Sequence, residues 1–204
     1  MDLFAYRIIP VVVVNDAADA QPLGEALMAG GLPLAEVTLR TPAAAEAISI
    51  LHDIDGMTVG AGTVMTPDQV ELAVEAGAQF IVSPGLRADV VQEATLAGRP
   101  ILTGAVTPTE LMAAQTMGID TVKFFPADAF GGPTAIKSLA APFPGMKFVP
   151  TGGVSPKNLA DYLALKAVAA VGGSWMVKSD LINQRAFDKI TVLVRQAVEL
   201  ANSL

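Results

Sequence analysis

Lys123 stands inside the apolar run TVKFFPADAFGG, between Val122 and Phe124, with Phe125 and Pro126 following. Lysine is seldom fully buried, and its charge left unpaired among apolar groups is costly. It could be a solvated gatekeeper on an edge strand, a structural ion-pair partner, or an amine held neutral to attack a carbonyl. A second stretch, AEVTLRTP, bears on the choice. In a strand, alternate residues share a face, so Glu36, Thr38 and Arg40 lie together, as do Thr121, Lys123 and Phe125. A face of Glu, Thr and Arg is expensive in an interior unless it works on a ligand. The plainer alternative is a buried Glu36–Arg40 pair that only locks the fold. A lysine on a facing strand brings three ionisable groups to one cavity, a mark of functional clefts. Burial and a nearby cation, here Arg40, would favour the neutral, nucleophilic amine. Attack on a ketone then gives an iminium, an electron sink for breaking the neighbouring carbon bond. Glu36 would shuttle protons, and the planar fork of Arg40 suits a substrate carboxylate. The chemistry implied is that of a Schiff-base lyase acting on a 2-oxo acid.

Two glycine pairs, in VPTGGVS and AVGGSWM, add a second element. Such pairs occur as ordinary tight turns. After the last two strands of a (β/α)8 barrel, however, glycines and a short helix N-terminus often hold phosphate. Gly152, Gly153, Gly172, Gly173 and Ser174 fit that arrangement.

These residues need a frame, and the periodicity supplies one. Short β-branched runs begin near Ile8, Leu34, Thr58, Phe80, Ile101, Thr121, Lys147 and Ala169, each followed by an alanine-rich helical stretch. TPAAAEAISILHD, TPDQVELAVEAGA, TPTELMAAQTMGI and SPKNLADYLALKA each open on Thr or Ser and then Pro, the pattern of an N-cap with proline at the first helical position. Gly30, Gly77, Gly98 and Gly118 read as helix ends. Eight βα units predict a parallel (β/α)8 TIM barrel, one domain over residues 1–204, with a last helix near 187–202. An open doubly wound sheet shares the alternation, but GAGTVM carries Met65 where its dinucleotide fingerprint needs a third glycine. Catalytic groups of such barrels sit where the strands exit. Of seven lysines only Lys123 qualifies. Lys147 opens a strand, and Lys137, Lys157, Lys166, Lys178 and Lys189 fall on helices or loops.

Bulk composition narrows the function classes. Thirteen basic against twenty acidic residues give a net charge of −7, which disfavours nucleic acid and anionic membranes. Cysteine is absent and histidine occurs once, so thiolate chemistry and a multi-histidine zinc site are not expected, nor is any cofactor. MDLFAYRIIPVVVV has no basic leader, and no apolar run approaches a membrane span, so a cytoplasmic protein is expected. His52 reads as a polar residue at a helix end, the eight methionines as packing residues, and Trp175 as core, interface or pocket wall.

AEVTLRT, GAGTV, SPG, KFFPA, PTGG and GGSW, in this order and spacing, closely resemble the bacterial 2-keto-3-deoxy-6-phosphogluconate (KDPG) aldolases, from Pro10 to the last helix. The resemblance implies a class I aldolase on a (β/α)8 barrel, commonly a homotrimer. Its substrate would be cleaved to pyruvate and glyceraldehyde 3-phosphate, and often 4-hydroxy-2-oxoglutarate to pyruvate and glyoxylate. Carried over by motif, Lys123 would form the Schiff base and Glu36 would be the general acid and base. Arg40 and Thr63 would hold the pyruvyl carboxylate, with Pro84 and Phe125 lining that pocket. Thr151, Gly152, Gly153, Gly173 and Ser174 would hold the phosphate region. Asp128 stands where the family often has glutamate, and only about seven residues precede the first strand, where relatives carry a longer closing segment. The rivals are a galactonate-epimer aldolase, whose second strand reads more like EIPLNSP, a phosphosugar isomerase or synthase, and a non-catalytic barrel that binds a phosphorylated metabolite.

Overall fold

β-Branched and aliphatic residues dominate the short runs because both faces of a parallel strand are covered, and the structure, a computed structural model, follows them closely. It describes residues 3–204. Eight strands, β1 (Ile8–Val12), β2 (Leu34–Thr38), β3 (Thr58–Gly62), β4 (Ile81–Val82), β5 (Ile101–Leu102), β6 (Thr121–Phe124), β7 (Lys147–Pro150) and β8 (Val171–Gly173), pair only in parallel among the described residues. Six form one sheet in the order β5-β4-β3-β2-β1-β8, and β6 pairs with β7 in a second. Single bridges span the seams: Gly104 to Lys123 beside β5, and Thr151 to Gly172 at β8. The fold is therefore α/β, with a curved six-stranded parallel sheet. β4 and β8 start at Ile81 and Val171, one and two residues beyond their sequence-predicted starts.

A 3₁₀ turn, Ala17–Asp19, leads into α1 (Ala20–Ala29). The helices α2 (Ala44–His52), α3 (Pro67–Glu75), α4 (Ala88–Leu96), α5 (Pro108–Thr116), α6 (Gly132–Ala140), α7 (Leu159–Leu163), α8 (Ser179–Asn183) and α9 (Phe187–Asn202) complete the order. α9 occupies the span expected of it, and its apolar stripe Ile190, Val194, Ala197 and Ala201 is buried. α1 packs against α9 and α2, and α3 against α4.

The Thr-Pro starts divide. Thr66 caps α3, and Thr107 forms a full capping box with Glu110 at α5. Thr41 does not cap α2: its hydroxyl donates instead to the carbonyl of Val14, and the helix begins at Ala44. Ser155-Pro156 opens a turn in which Asn158 Oδ1 accepts from the Ser155 N–H, and α7 starts only at Leu159. A nearby carbonyl or amide outcompeted the local cap in both places. Gly77, Gly98 and Gly118 are left-handed at helix ends, whereas after α1 that residue is Gly31, one beyond Gly30.

Residues 3–7 form a turn rather than a helix. Leu3 and Phe4 pack on the core, and the Arg7 guanidinium donates to the carbonyls of Ala201 and Leu163, tying the start of β1 to the ends of α9 and α7.

Candidate active site

Strand periodicity decides which way Lys123 points. Val122 and Phe124 are fully buried, and Phe124 meets Phe148 edge to face, with ring centroids 6.3 Å apart. Each such burial contributes roughly 1.5–3 kcal/mol, and together they fix Lys123 on the opposite face. There its backbone is held between Gly104 and Val149. Its Nζ lies 2.9 Å from Glu36 Oε1, although only 5% of Lys123 and 1% of Glu36 is exposed.

Glu36 is set by its neighbours in β1 and β3. It is in register with Val11 on one side and Gly60 on the other. A side chain at Gly62 would overlap the Glu36 carboxylate, and one at Gly60 would overlap the Phe80 ring. The two glycines of GAGTV are thus the space that admits a carboxylate and an aromatic ring beside β3. Thr38, also buried, donates from its hydroxyl to Val12 and ties β2 to β1.

Arg40 shares a cleft with Lys123. It is exposed, and its Nε donates to Thr63 Oγ1 at 3.1 Å. Lys123 Nζ bonds Glu36 Oε1, so a locking Glu36–Arg40 pair does not describe the contact. Thr63 has a left-handed backbone, φ 60°, immediately after β3. That conformation is uncommon and costs a non-glycine residue on the order of 1 kcal/mol. It is a local strain at the point where Thr63 meets Arg40.

These groups open onto a cleft of about 410 Å³, at the C-terminal ends of the strands. Its lining includes Val11, Arg40, Lys123, Phe125, Thr151, Gly152, Gly153, Gly173 and Ser174. Lys123 Nζ stands 5.5 Å from the Phe125 ring centroid. Glu36 and Thr63 lie outside the lining and are reached through Lys123 and Arg40. Pro84 is also outside it: it backs Gly104, where an added Cβ would strike the Pro84 carbonyl, and Gly104 bridges to Lys123. Ser83 and Thr103 both donate to the Gly85 carbonyl, holding the SPG turn in place.

The glycine pairs form another wall. Gly152 and Gly153 have φ 92° and 83°, so their peptide groups face directions that other residues rarely present. Asp128 packs directly under Gly153, and Thr151 fills the space a side chain at Gly172 would need. Asp128 and burial together push the Tyr162 hydroxyl above the ordinary tyrosine range, burial being the larger cause. Trp175 packs over Gly173 and against the core.

Lys178, Ser179 and Asp180 also line the cleft. Lys178, read from the sequence as a helix or loop lysine, shares that wall with Ser174; the signal was its place in the loop that follows the last strand. Asp180 puts a carboxylate on the same wall. Among the described residues no group of three metal-ligating side chains occurs, and no helix is long and apolar enough to cross a membrane.

Comparison with known proteins places the chain in a family. The family described as "Aldolase: KDPG and KHG aldolase" matches residues 2–193. The chain belongs to that family. It is 46% identical over 193 residues to the KHG/KDPG aldolase of Escherichia coli, covering 94% of this chain and 91% of the relative. It is 45% identical over 197 residues to the 2-dehydro-3-deoxy-phosphogluconate aldolase of Dickeya dadantii, covering 96% and 92%. Among solved structures, a KDPG aldolase from Legionella pneumophila superimposes with a TM-score of 0.93 at 42% identity, covering 96% of each chain. That protein holds pyruvate as a covalent carbinolamine intermediate.

Proposed function

We propose that this KDPG-aldolase family member is a Schiff-base lyase that cleaves 2-keto-3-deoxy-6-phosphogluconate to pyruvate and glyceraldehyde 3-phosphate. 4-Hydroxy-2-oxoglutarate is its second substrate. The observation that carries the reading is a buried lysine amine in hydrogen-bond contact with a buried carboxylate beside a cleft.

Lys123 is the nucleophile. Passing a proton to Glu36 across the 2.9 Å contact leaves a neutral amine, which adds to C2 of the substrate. Glu36 returns that proton to the carbinolamine hydroxyl, which leaves as water to give the iminium and the carboxylate. Glu36 then takes the C4 hydroxyl proton, through a water, as the C3–C4 bond breaks and its electron pair moves into the iminium. The aldehyde leaves, the enamine is protonated at C3, and hydrolysis releases pyruvate and restores Lys123. Arg40, braced by Thr63, binds the pyruvyl carboxylate, and Phe125 and Pro84 shape the pyruvyl end. Thr151, Gly152, Gly153, Gly173 and Ser174 bind the phosphate end. The iminium is the main electronic device, and positioning at both ends supplies much of the rest.

The same reading makes the chain one domain whose eight strands close into a (β/α)8 barrel. The bridges Gly104–Lys123 and Thr151–Gly172 support closure at both seams. It also makes the protein a homotrimer, a reading supported by the exposed apolar side chains Leu96 and Met112 on α4 and α5. A phosphorylated sugar acid is too highly charged to cross a membrane unaided, which fits a cytoplasmic location.

Incubation with pyruvate, borohydride reduction and mass mapping tests the chemistry, with Lys123→Ala as control. A pyruvyl adduct on Lys123 is expected. Its absence, with a phosphorylated ligand still bound, would instead favour a non-catalytic binding protein.

A further inference from the structure

β1 and β8 are paired neighbours, with Pro10 in register with Gly173 at the end of β8. Beyond that point the two chain segments diverge, and two side-chain bonds rejoin them. Asn15 Nδ2 donates to Asn183 Oδ1 at 3.0 Å, and Arg185 Nε donates to Asp19 Oδ1 at 2.9 Å. Asn15 and Asp19 follow β1. Asn183 ends α8, and Arg185 lies in the link to α9. Lys178, Ser179 and Asp180, at the other end of the same segment, line the cleft beside Ser174.

Two features mark Asp19 and Arg185 as more than a surface pair. Asp19 occupies the N-cap position of α1, where aspartate ordinarily accepts from its own helix, yet it makes no such bond. It is 5% exposed, and its carboxylate is turned to Arg185 instead. Arg185 has φ 53°, a left-handed backbone that favours glycine or asparagine at a helix end. A bulky residue at such a position argues for its side chain, which is 63% exposed along its length yet reaches the buried carboxylate with its Nε.

We propose that Asp19 and Arg185 are positioning residues for the phosphate end of the substrate, acting by clasping the α8 segment to the turn after β1. The inference rests on the aldolase reading and assigns the clasp to substrate size rather than to bond cleavage. Loosening the clasp displaces Lys178 and the 174–180 wall but leaves Lys123 on β6, Glu36 on β2 and Arg40 in the turn after β2 where they are. The longer phosphorylated substrate reaches that wall. The shorter 4-hydroxy-2-oxoglutarate does not.

The test compares both substrates in Arg185→Gly, which removes the guanidinium and accepts the left-handed backbone. The Arg185→Gly/Asp19→Asn pair also removes the orphaned charge and serves if the single variant is unstable. KM for the phosphorylated substrate should rise about five- to twentyfold with kcat little changed, since displacements near 1 Å cost up to about 100-fold. Both constants for 4-hydroxy-2-oxoglutarate should stay within about twofold. Arg185→Lys should recover part of the loss, and the double variant should fall no further than the single one. Equal losses on both substrates, or a lowered Tm with neither KM moved, would overturn the assignment and leave the pair purely structural. Wild-type protein is trapped with pyruvate and borohydride in parallel. No adduct there would remove the aldolase reading itself, whereas an adduct without substrate discrimination would remove only the clasp.

Discussion

Lys123–Glu36 and Arg87–Asp89 are ion pairs of the same formal kind in opposite surroundings. The first joins side chains 6% and 2% exposed, on β6 and β2, 87 residues apart in the chain. The second joins side chains 51% and 49% exposed, two residues apart at the start of α4. The hydrogen bond between them pushes the Arg87 guanidinium up and pulls the Asp89 carboxyl down from their ordinary ranges. Water surrounds that pair and screens it, so little stability follows. Taking Lys123 and Glu36 out of water costs several kcal/mol for each ion, which their attraction does little more than offset. Apolar residues of the same volume would hold the strands at least as well. The proposed lyase chemistry, what a lysine amine and a carboxylate can do to a carbonyl, would account for the buried pair; the exposed pair needs no such account.

The contrast can be broken first at Lys123. Lys123→Met should abolish the borohydride-trapped adduct and lower kcat by at least about 10³-fold, while leaving the fold intact by circular dichroism. Glu36→Gln keeps the shape and a hydrogen-bonding oxygen but loses the proton acceptor; kcat for cleavage should fall by about 10² to 10⁴-fold. Retention of full activity would move the acid–base role to another group. Gly62→Ala, with its methyl directed into the Glu36 carboxylate, should cost about 1–3 kcal/mol in chemical denaturation and lower kcat about tenfold or more.

Thr107→Ala tests the capping box and should cost about 1 kcal/mol, a fall in Tm of roughly 2–4 °C. Burial alone would raise the Glu110 pKa. The Val106 N–H and the hydroxyl and N–H of Thr107 outweigh it and hold the carboxyl below its ordinary range. A depressed folded pKa means stabilisation that is complete above the unfolded pKa and is lost as pH falls through the folded one. In Thr107→Ala the acid limb of a Tm-against-pH curve should therefore lie closer to the ordinary glutamate range. At the small end, Arg87→Ala should leave both Tm and activity unchanged. A clear loss in either would mean that the exposed pair does more than its surroundings suggest.

Lys123 was legible because a strand alternates faces, and Val122 and Phe124 could only be the packed side. Glu36 was legible as a member of the same cluster as Lys123, but the direct bond between them was not. Contacts between β2 and β6 depend on how the sheet curves, which one-dimensional spacing does not carry. Thr66 and Thr107 cap as their Thr-Pro spelling predicts. Thr41 shares that spelling, but a carbonyl from another segment, Val14, claims its hydroxyl. Sequence spacing carries strand facing and helix ends well because both are local. It carries Lys178, Asp19 and Arg185 poorly, because their neighbours are set by the meeting of the first and last strands.

The 87-residue separation between Glu36 and Lys123 also orders events on the ribosome. At about 5–20 residues per second, roughly 4–17 s pass between the synthesis of the two residues. During that interval β2 carries an acidic side chain whose basic counterpart does not yet exist. Burying it charged and alone would be costly, so the nascent first half has reason to stay open. Completion of β6 then supplies the group that lets the interior seal. The residue proposed as the nucleophile is in this sense also a late signal that the chain is ready to close.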